Sequence, residues 1–121
     1  MKKLKVGIIG TGGIAQVSHI PNFQKIEDVE VSAISDINKE KLNYVAEKFN
    51  IPKTFTDWEK MLEEDIDAVV ICSPNSFHSI QSIKAMEKGK HVLCEKPICL
   101  SVEEAEKIFD TVDKTGKVFM G

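Results

Sequence analysis

LKVGIIGTGGIA, residues 4–15, starts as a short apolar strand, breaks on glycine, and restarts as a helix. Gly10, Gly12 and Ala15 fill the spacing G-x-G-x-x-G/A, with Thr11, Gly13 and Ile14 between them. Gly10 suits the tight turn out of the strand. Gly12 lacks a Cβ, so a pyrophosphate can approach the backbone there. Ala15 is small enough for helix and strand to pack closely. Free N–H groups and the positive end of the helix dipole then face the phosphates. The spacing alone is a weak signal, because glycine turns are common. Its context, a strand before and a helix after within a βαβ unit, is what gives it weight as a dinucleotide site.

The second apolar run, VEVSAIS (29–35), leads into Asp36, which lies 21 residues beyond Ala15. A carboxylate at that distance accepts hydrogen bonds from an adenosine ribose. The competing reading is a turn residue ahead of the helix that begins at Asn38. An acid here repels a 2′-phosphate, all sixteen basic residues are lysines, and Lys39 is the nearest cation in sequence. NAD(H) is therefore favoured over NADP(H).

The rest of the chain repeats the alternation. Strands are predicted at 4–10, 29–35, 53–56, 67–73, 91–95 and 117–121. Helical patterns lie at 13–26, with a break or fresh start at Pro21, and at 38–50, where Leu42, Val45, Ala46 and Phe49 share one face. Further helices follow Asp57 as an N-cap, cover 76–88 up to Gly89, and run over 101–116 between the capping box Ser101…Glu104 and Gly116. Six strands separated by helices predict a Rossmann-type, doubly wound, mostly parallel six-stranded α/β sheet in a single domain, residues 1–121. In such sheets ligands bind beyond the carboxyl ends of the strands. Lys96, at the end of the fifth strand, therefore sits on the ligand edge.

Composition bounds the function class. With 42% hydrophobic and 29% charged residues and a net charge of −3, the chain reads as an ordinary globular domain. It lacks the clustered positive charge of a nucleic-acid binder. No apolar run approaches the length of a membrane span. The opening lysines and apolar residues imitate a signal peptide, but glycines interrupt the apolar part. Cys72, Cys94 and Cys99 are odd in number and form no C-x-x-C pair, which fits a reducing, cytoplasmic compartment rather than a disulfide framework. With His78 and His91 they match no zinc spacing.

CSPNSFH (72–78) follows the fourth strand and CEKP (94–97) follows the fifth. Together with GIIGTGGIA and the terminal GKVFMG, these resemble the N-terminal domain of the glucose–fructose oxidoreductase/inositol dehydrogenase (Gfo/Idh/MocA) family, in order along the whole chain. The resemblance implies that Ser73, Pro74 and Asn75 line the cofactor near its pyrophosphate and nicotinamide ribose, with His78 pointing back from the next helix. It implies that Glu95 reaches the nicotinamide-side ribose and that Lys96 is catalytic, meeting the reacting carbon. The plainer readings are a helix cap for Asn75, a surface histidine for His78, and a loop lysine paired with Glu95 for Lys96. Pro97 keeps Lys96 out of the helical region, and a cis Lys96–Pro97 bond is compatible with an E-K-P turn. Partial desolvation of Lys96 would make it a better acid/base partner.

Family members carry a second α/β domain after the sixth strand, which supplies most of the substrate pocket. By that resemblance this chain is the cofactor-binding domain of an NAD-dependent oxidoreductase. The reaction is hydride transfer to or from a hydroxyl/carbonyl carbon of a sugar, polyol or similar compound, and the chain alone is inactive. The alternatives are a stand-alone NAD(H)-binding or sensing module and a site for another adenosyl ligand. The expected partners are a small-molecule substrate, no nucleic acid and no membrane. A sixth strand at the sheet edge also predicts a homodimer or higher oligomer.

Overall fold

The computed structural model describes residues 2–121. Strands β1 (Leu4–Ile9), β2 (Val29–Ser35), β3 (Lys53–Phe55), β4 (Ala68–Ile71), β5 (His91–Cys94) and β6 (Phe119–Met120) form one sheet. Its order is β3-β2-β1-β4-β5-β6. Every neighbouring pair is parallel. The connecting elements are α1 (Ile20–Gln24), α2 (Lys39–Phe49), α3 (Trp58–Met61), α4 (His78–Glu87) and α5 (Val102–Thr115). The architecture is the expected Rossmann-type doubly wound α/β domain, with a sheet that is parallel throughout.

Side chains along a strand alternate between the two faces of a sheet, and here each face has its own core. Val69 and Ile71 of β4 pack on one side with Met61, Ala85, Met86 and Ile108 from α3, α4 and α5. Val70 packs on the other with Ala15, Ile20, Leu42 and Val45. Ile8, Val45 and Ile108 are completely buried, each contributing about 2 kcal/mol of hydrophobic transfer. The predicted face of α2 is the inner one: Leu42 and Val45 are buried, and Ala46 and Phe49 lie partly buried against the same cluster.

Local signals set most helix ends. The Asn38 side chain accepts the Lys41 amide at the start of α2, and Asn50 closes it in the left-handed conformation. Asp57 accepts the Glu59 amide ahead of α3. Ser101 accepts from Glu104 N–H, while Glu104 reaches back to the Leu100 amide, so the predicted box closes one residue early. Within 13–26 the fresh start at Pro21 is present: Ala15–His19 is a π-helical turn, in which the Ile20 amide donates to the Ala15 carbonyl, and α1 follows with Pro21 in its first turn. One reading needs correction. Asn75 does not cap a helix: it lies inside a 3₁₀ turn, Asn75–Phe77, whose N-cap position is Pro74.

One backbone bond beyond the strand ends squares off the carboxyl edge of the sheet. Gly10 donates to Ser35 O, Asp36 to Phe55 O, Cys72 to Ile9 O and Glu95 to Ile71 O. The residues that follow β1, β2, β4 and β5 are thereby held side by side.

Candidate functional site

A groove of about 610 Å³ runs along this edge, lined by Gly10, Thr11, Gly12, Asp36, Lys41, Trp58, Ser73, Pro74, Phe77 and Gln81 among others. That volume falls in the range of small-molecule sites. The two motif glycines serve it differently. Gly10 has φ +90°, and a Cβ there would stand 2.8 Å from the backbone of Cys72 and Ser73. Only glycine combines that conformation with so close an approach. A Cβ on Gly12 would meet nothing within 4 Å. Its missing side chain is not filled by protein, so Gly12 presents bare backbone to the groove.

Asp36 lines the same groove. Its Oδ2 accepts the Thr11 amide at 2.9 Å and the Thr11 hydroxyl at 2.7 Å. Its Oδ1 accepts the Asn38 amide at 2.9 Å. Burial pushes the Asp36 carboxyl up, but the bonds from Asn38 and Thr11 and the charge of Lys41 outweigh it and hold it below its ordinary value. The nearby cation is Lys41, 3.5 Å from Oδ2, and not Lys39, which is adjacent in sequence only. One helical turn beyond Asn38 carries Lys41 back over the groove. Ser35, also in the lining, is buried, and its hydroxyl has no partner among the described residues. Ser35 lies beside Gly10, whose amide donates to its carbonyl.

At the β4 end, Ser73 donates its hydroxyl to Gln81. His78 is 1% exposed. Its Nε2 lies 2.7 Å from Ser73 O and its Nδ1 2.6 Å from Pro97 O. It is therefore neither a surface residue nor part of the groove wall; it ties the β4 loop to the E-K-P turn. Among the predicted site residues, the groove gathers Gly10, Thr11, Gly12, Asp36, Ser73 and Pro74. Gly13, Ile14, Asn75, His78, Glu95 and Lys96 lie outside its lining.

The Lys96–Pro97 bond is cis. Lys96 is exposed, so nothing in this chain supplies the expected desolvation. Glu95 does not pair with it. Glu95 Oε1 instead meets His19 Nε2 at 2.6 Å. The His19 bond is the largest influence on the Glu95 carboxyl, and with the Lys96 amide and charge it outweighs burial and keeps the carboxyl below its ordinary value. The thiols are free. Burial, then the charges of Glu95 and Cys94, push Cys72 up to about 12, which makes it a poor nucleophile. Among the described residues no group of His, Cys, Asp and Glu is arranged to hold a metal ion, and no helix is long and apolar enough to cross a membrane.

Sequence reasoning missed His19, Lys41, Trp58, Phe77 and Gln81. Phe77 alone had a signal, as an aromatic residue inside the CSPNSFH segment.

Known proteins share this arrangement. The oxidoreductase family with an NAD-binding Rossmann fold, GFO_IDH_MocA, matches residues 4–121. D-glucoside 3-dehydrogenase of Escherichia coli is 37% identical over 95% of this chain and 33% of its own length. The structure of Lactobacillus casei scyllo-inositol dehydrogenase with bound NAD(H) and scyllo-inositol superposes with a TM-score of 0.91 at 32% identity, over 98% of this chain and 36% of that one. A 3-ketoreductase from Actinomadura kijaniata, in complex with TDP-benzene and NADP, does so with 0.91 at 29% identity, over 98% and 38%. The chain thus spans about a third of the length of each of these proteins. It belongs to the GFO_IDH_MocA family of oxidoreductases and forms that family's NAD-binding Rossmann fold.

Proposed function

We propose that this chain serves an oxidoreductase that moves a hydride between NAD(H) and a hydroxyl/carbonyl carbon of a sugar, polyol or related compound. The observation that carries the reading is a groove lined by bare Gly12 backbone and by the ionised Asp36. Gly12 and the helix start beyond it give N–H groups to the pyrophosphate. Asp36 retains acceptor capacity for ribose hydroxyls beside its bonds to Thr11 and Asn38. Ile37, Trp58 and Phe77 provide apolar surface along the same groove.

Bound nicotinamide supplies the two-electron acceptor or donor for the reaction. Glu95 orients the ribose on that side. Lys96, exposed beyond β5, holds through Nζ the hydrogen bond to the substrate oxygen whose proton moves during the reaction. Most of the substrate contacts come from sequence beyond this domain. That the relatives bind glucosides and inositols supports the sugar and polyol class.

NAD(H) is preferred to NADP(H), because a 2′-phosphate would meet the Asp36 carboxylate. Lys41 moderates this preference. Calorimetric titration with both cofactors tests the reading: NADH binds more tightly, by about 1–3 kcal/mol. Equal affinity, or an NADPH preference, overturns the role of Asp36. In the longer protein, Lys96→Ala lowers kcat strongly; an unchanged kcat removes Lys96 from the chemistry.

A further inference from the structure

We propose that His19 is a positioning residue, which holds Glu95 in the orientation needed for the nicotinamide-side ribose. The inference rests on the reading of Glu95 given above. Three observations carry it. First, His19 Nε2 and Glu95 Oε1 are 2.6 Å apart, although the residues lie 76 positions apart in sequence. The pair joins the helix after the glycine loop to the turn after β5. Second, the two side chains are 16% and 30% exposed, so the pair is shielded yet open on one side, as a group meeting a ligand must be.

Third, the backbone that presents His19 is unusual. The segment Ala15–His19 is a π-helical turn, closed by the Ile20 amide on the Ala15 carbonyl. A π-turn inserts one extra residue into a helix and is frequent at functional sites. Both ends of the link are anchored. Ala15 and Ile20 are completely buried on either side of the turn, and the Glu95 amide donates to Ile71 O. The imidazole N–H donates to the carboxylate and selects one Glu95 rotamer before the cofactor arrives. Without it, only the Lys96 amide holds the half-buried Glu95 carboxyl, and ordering it on binding costs affinity.

The test separates the two halves of the cofactor. NADH and ADP are titrated calorimetrically into this chain, as wild type and as His19→Ala, His19→Gln, Glu95→Gln and the double variant His19→Ala/Glu95→Gln. Gln places its amide nitrogen near the position of Nε2 and can donate to Glu95. Expected is a weakening of NADH by about fivefold or more in His19→Ala, with ADP unchanged within about twofold. His19→Gln restores NADH binding, and the double variant binds no more weakly than Glu95→Gln alone. His19→Asn, too short to reach Glu95, replaces the alanine variant if that fails to fold, as judged by thermal melting, and matches its expected result.

The proposal is overturned if NADH affinity in His19→Ala equals wild type while Glu95→Gln weakens it. Equal loss of ADP, or no rescue by Gln, shows that His19 only supports the fold and also overturns it. An unchanged Glu95→Gln removes the ribose role of Glu95 and this inference with it. A wild type that binds neither NADH nor ADP instead overturns the cofactor reading itself.

Discussion

Thr11 gives both of its hydrogen-bond donors to a single oxygen of Asp36, the amide at 2.9 Å and the hydroxyl at 2.7 Å. The turn after β1 and the end of β2 are thereby locked together before any ligand binds. Thr11 is completely buried, so Thr11→Val keeps the shape and removes one donor to a carboxylate. A loss of about 1–2 kcal/mol in unfolding free energy is expected, together with a several-fold weaker affinity for NADH. Urea denaturation and titration measure the two effects. Unchanged values for both show that the amide alone positions Asp36.

Acid stability follows from the same bonds. Asp36 and Glu95 both titrate below their ordinary values of 3.8 and 4.5. The unfolded chain therefore binds protons that the folded one does not. The stabilisation is fully present above those ordinary values and is lost as pH falls through the lower, folded ones. Urea midpoints are expected to stay level from about pH 7 to pH 5.5 on account of these two groups and to drop below about pH 4.5. Asp36→Asn/Glu95→Gln should flatten that acid slope; a double variant with the wild-type slope contradicts the assignment.

His78 joins the two loops that follow β4 and β5 through Ser73 O and Pro97 O. His78→Ala opens a cavity and removes the ring that links the Ser73 and Pro97 carbonyls. A loss of about 3 kcal/mol or more is expected, read from chemical denaturation. A loss under about 0.5 kcal/mol would show that other bonds hold the E-K-P turn.

How much of this was legible from the sequence depended on distance along the chain. β2 and α2 were read almost to the residue, because a regular apolar period and the flanking asparagines are local signals. Gly10 and Gly12 were legible because their roles belong to one turn. β4 ends earlier than the 67–73 reading: Cys72 makes a last bond to Ile9 O and backs Gly10, and the Ser73 carbonyl meets His78. Similarly, β6 is only Phe119–Met120. The His19–Glu95 pair was illegible, since nothing near either residue marks a partner 76 positions away. Lys41 was passed over for Lys39 because nearness in sequence stood in for nearness across a helical turn. His78 was placed at the cofactor by resemblance, whereas its burial depends on how α4 packs over the loop after β5.

Self-association of this chain is the next expected outcome. β6 is an edge strand of the sheet; Val118 beside it and Met120 within it are 59% and 60% exposed. Unpaired backbone groups next to exposed apolar side chains recruit a second strand. Light scattering over a range of concentrations is expected to show a dimer or larger species. A monomer mass throughout contradicts it.

Whether the glycine-loop groove receives a dinucleotide is decided by one calorimetric titration: NADH into wild type and into Gly12→Ala. A Cβ at Gly12 touches no protein atom within 4 Å, so the variant keeps its fold, which a melting curve confirms. In the proposed site the added methyl group then stands in the way of the pyrophosphate. One NADH per chain is expected for wild type, and an affinity lower by about tenfold or more for the folded Gly12→Ala. Absence of NADH binding by wild type, or equal binding by the two proteins, would contradict it.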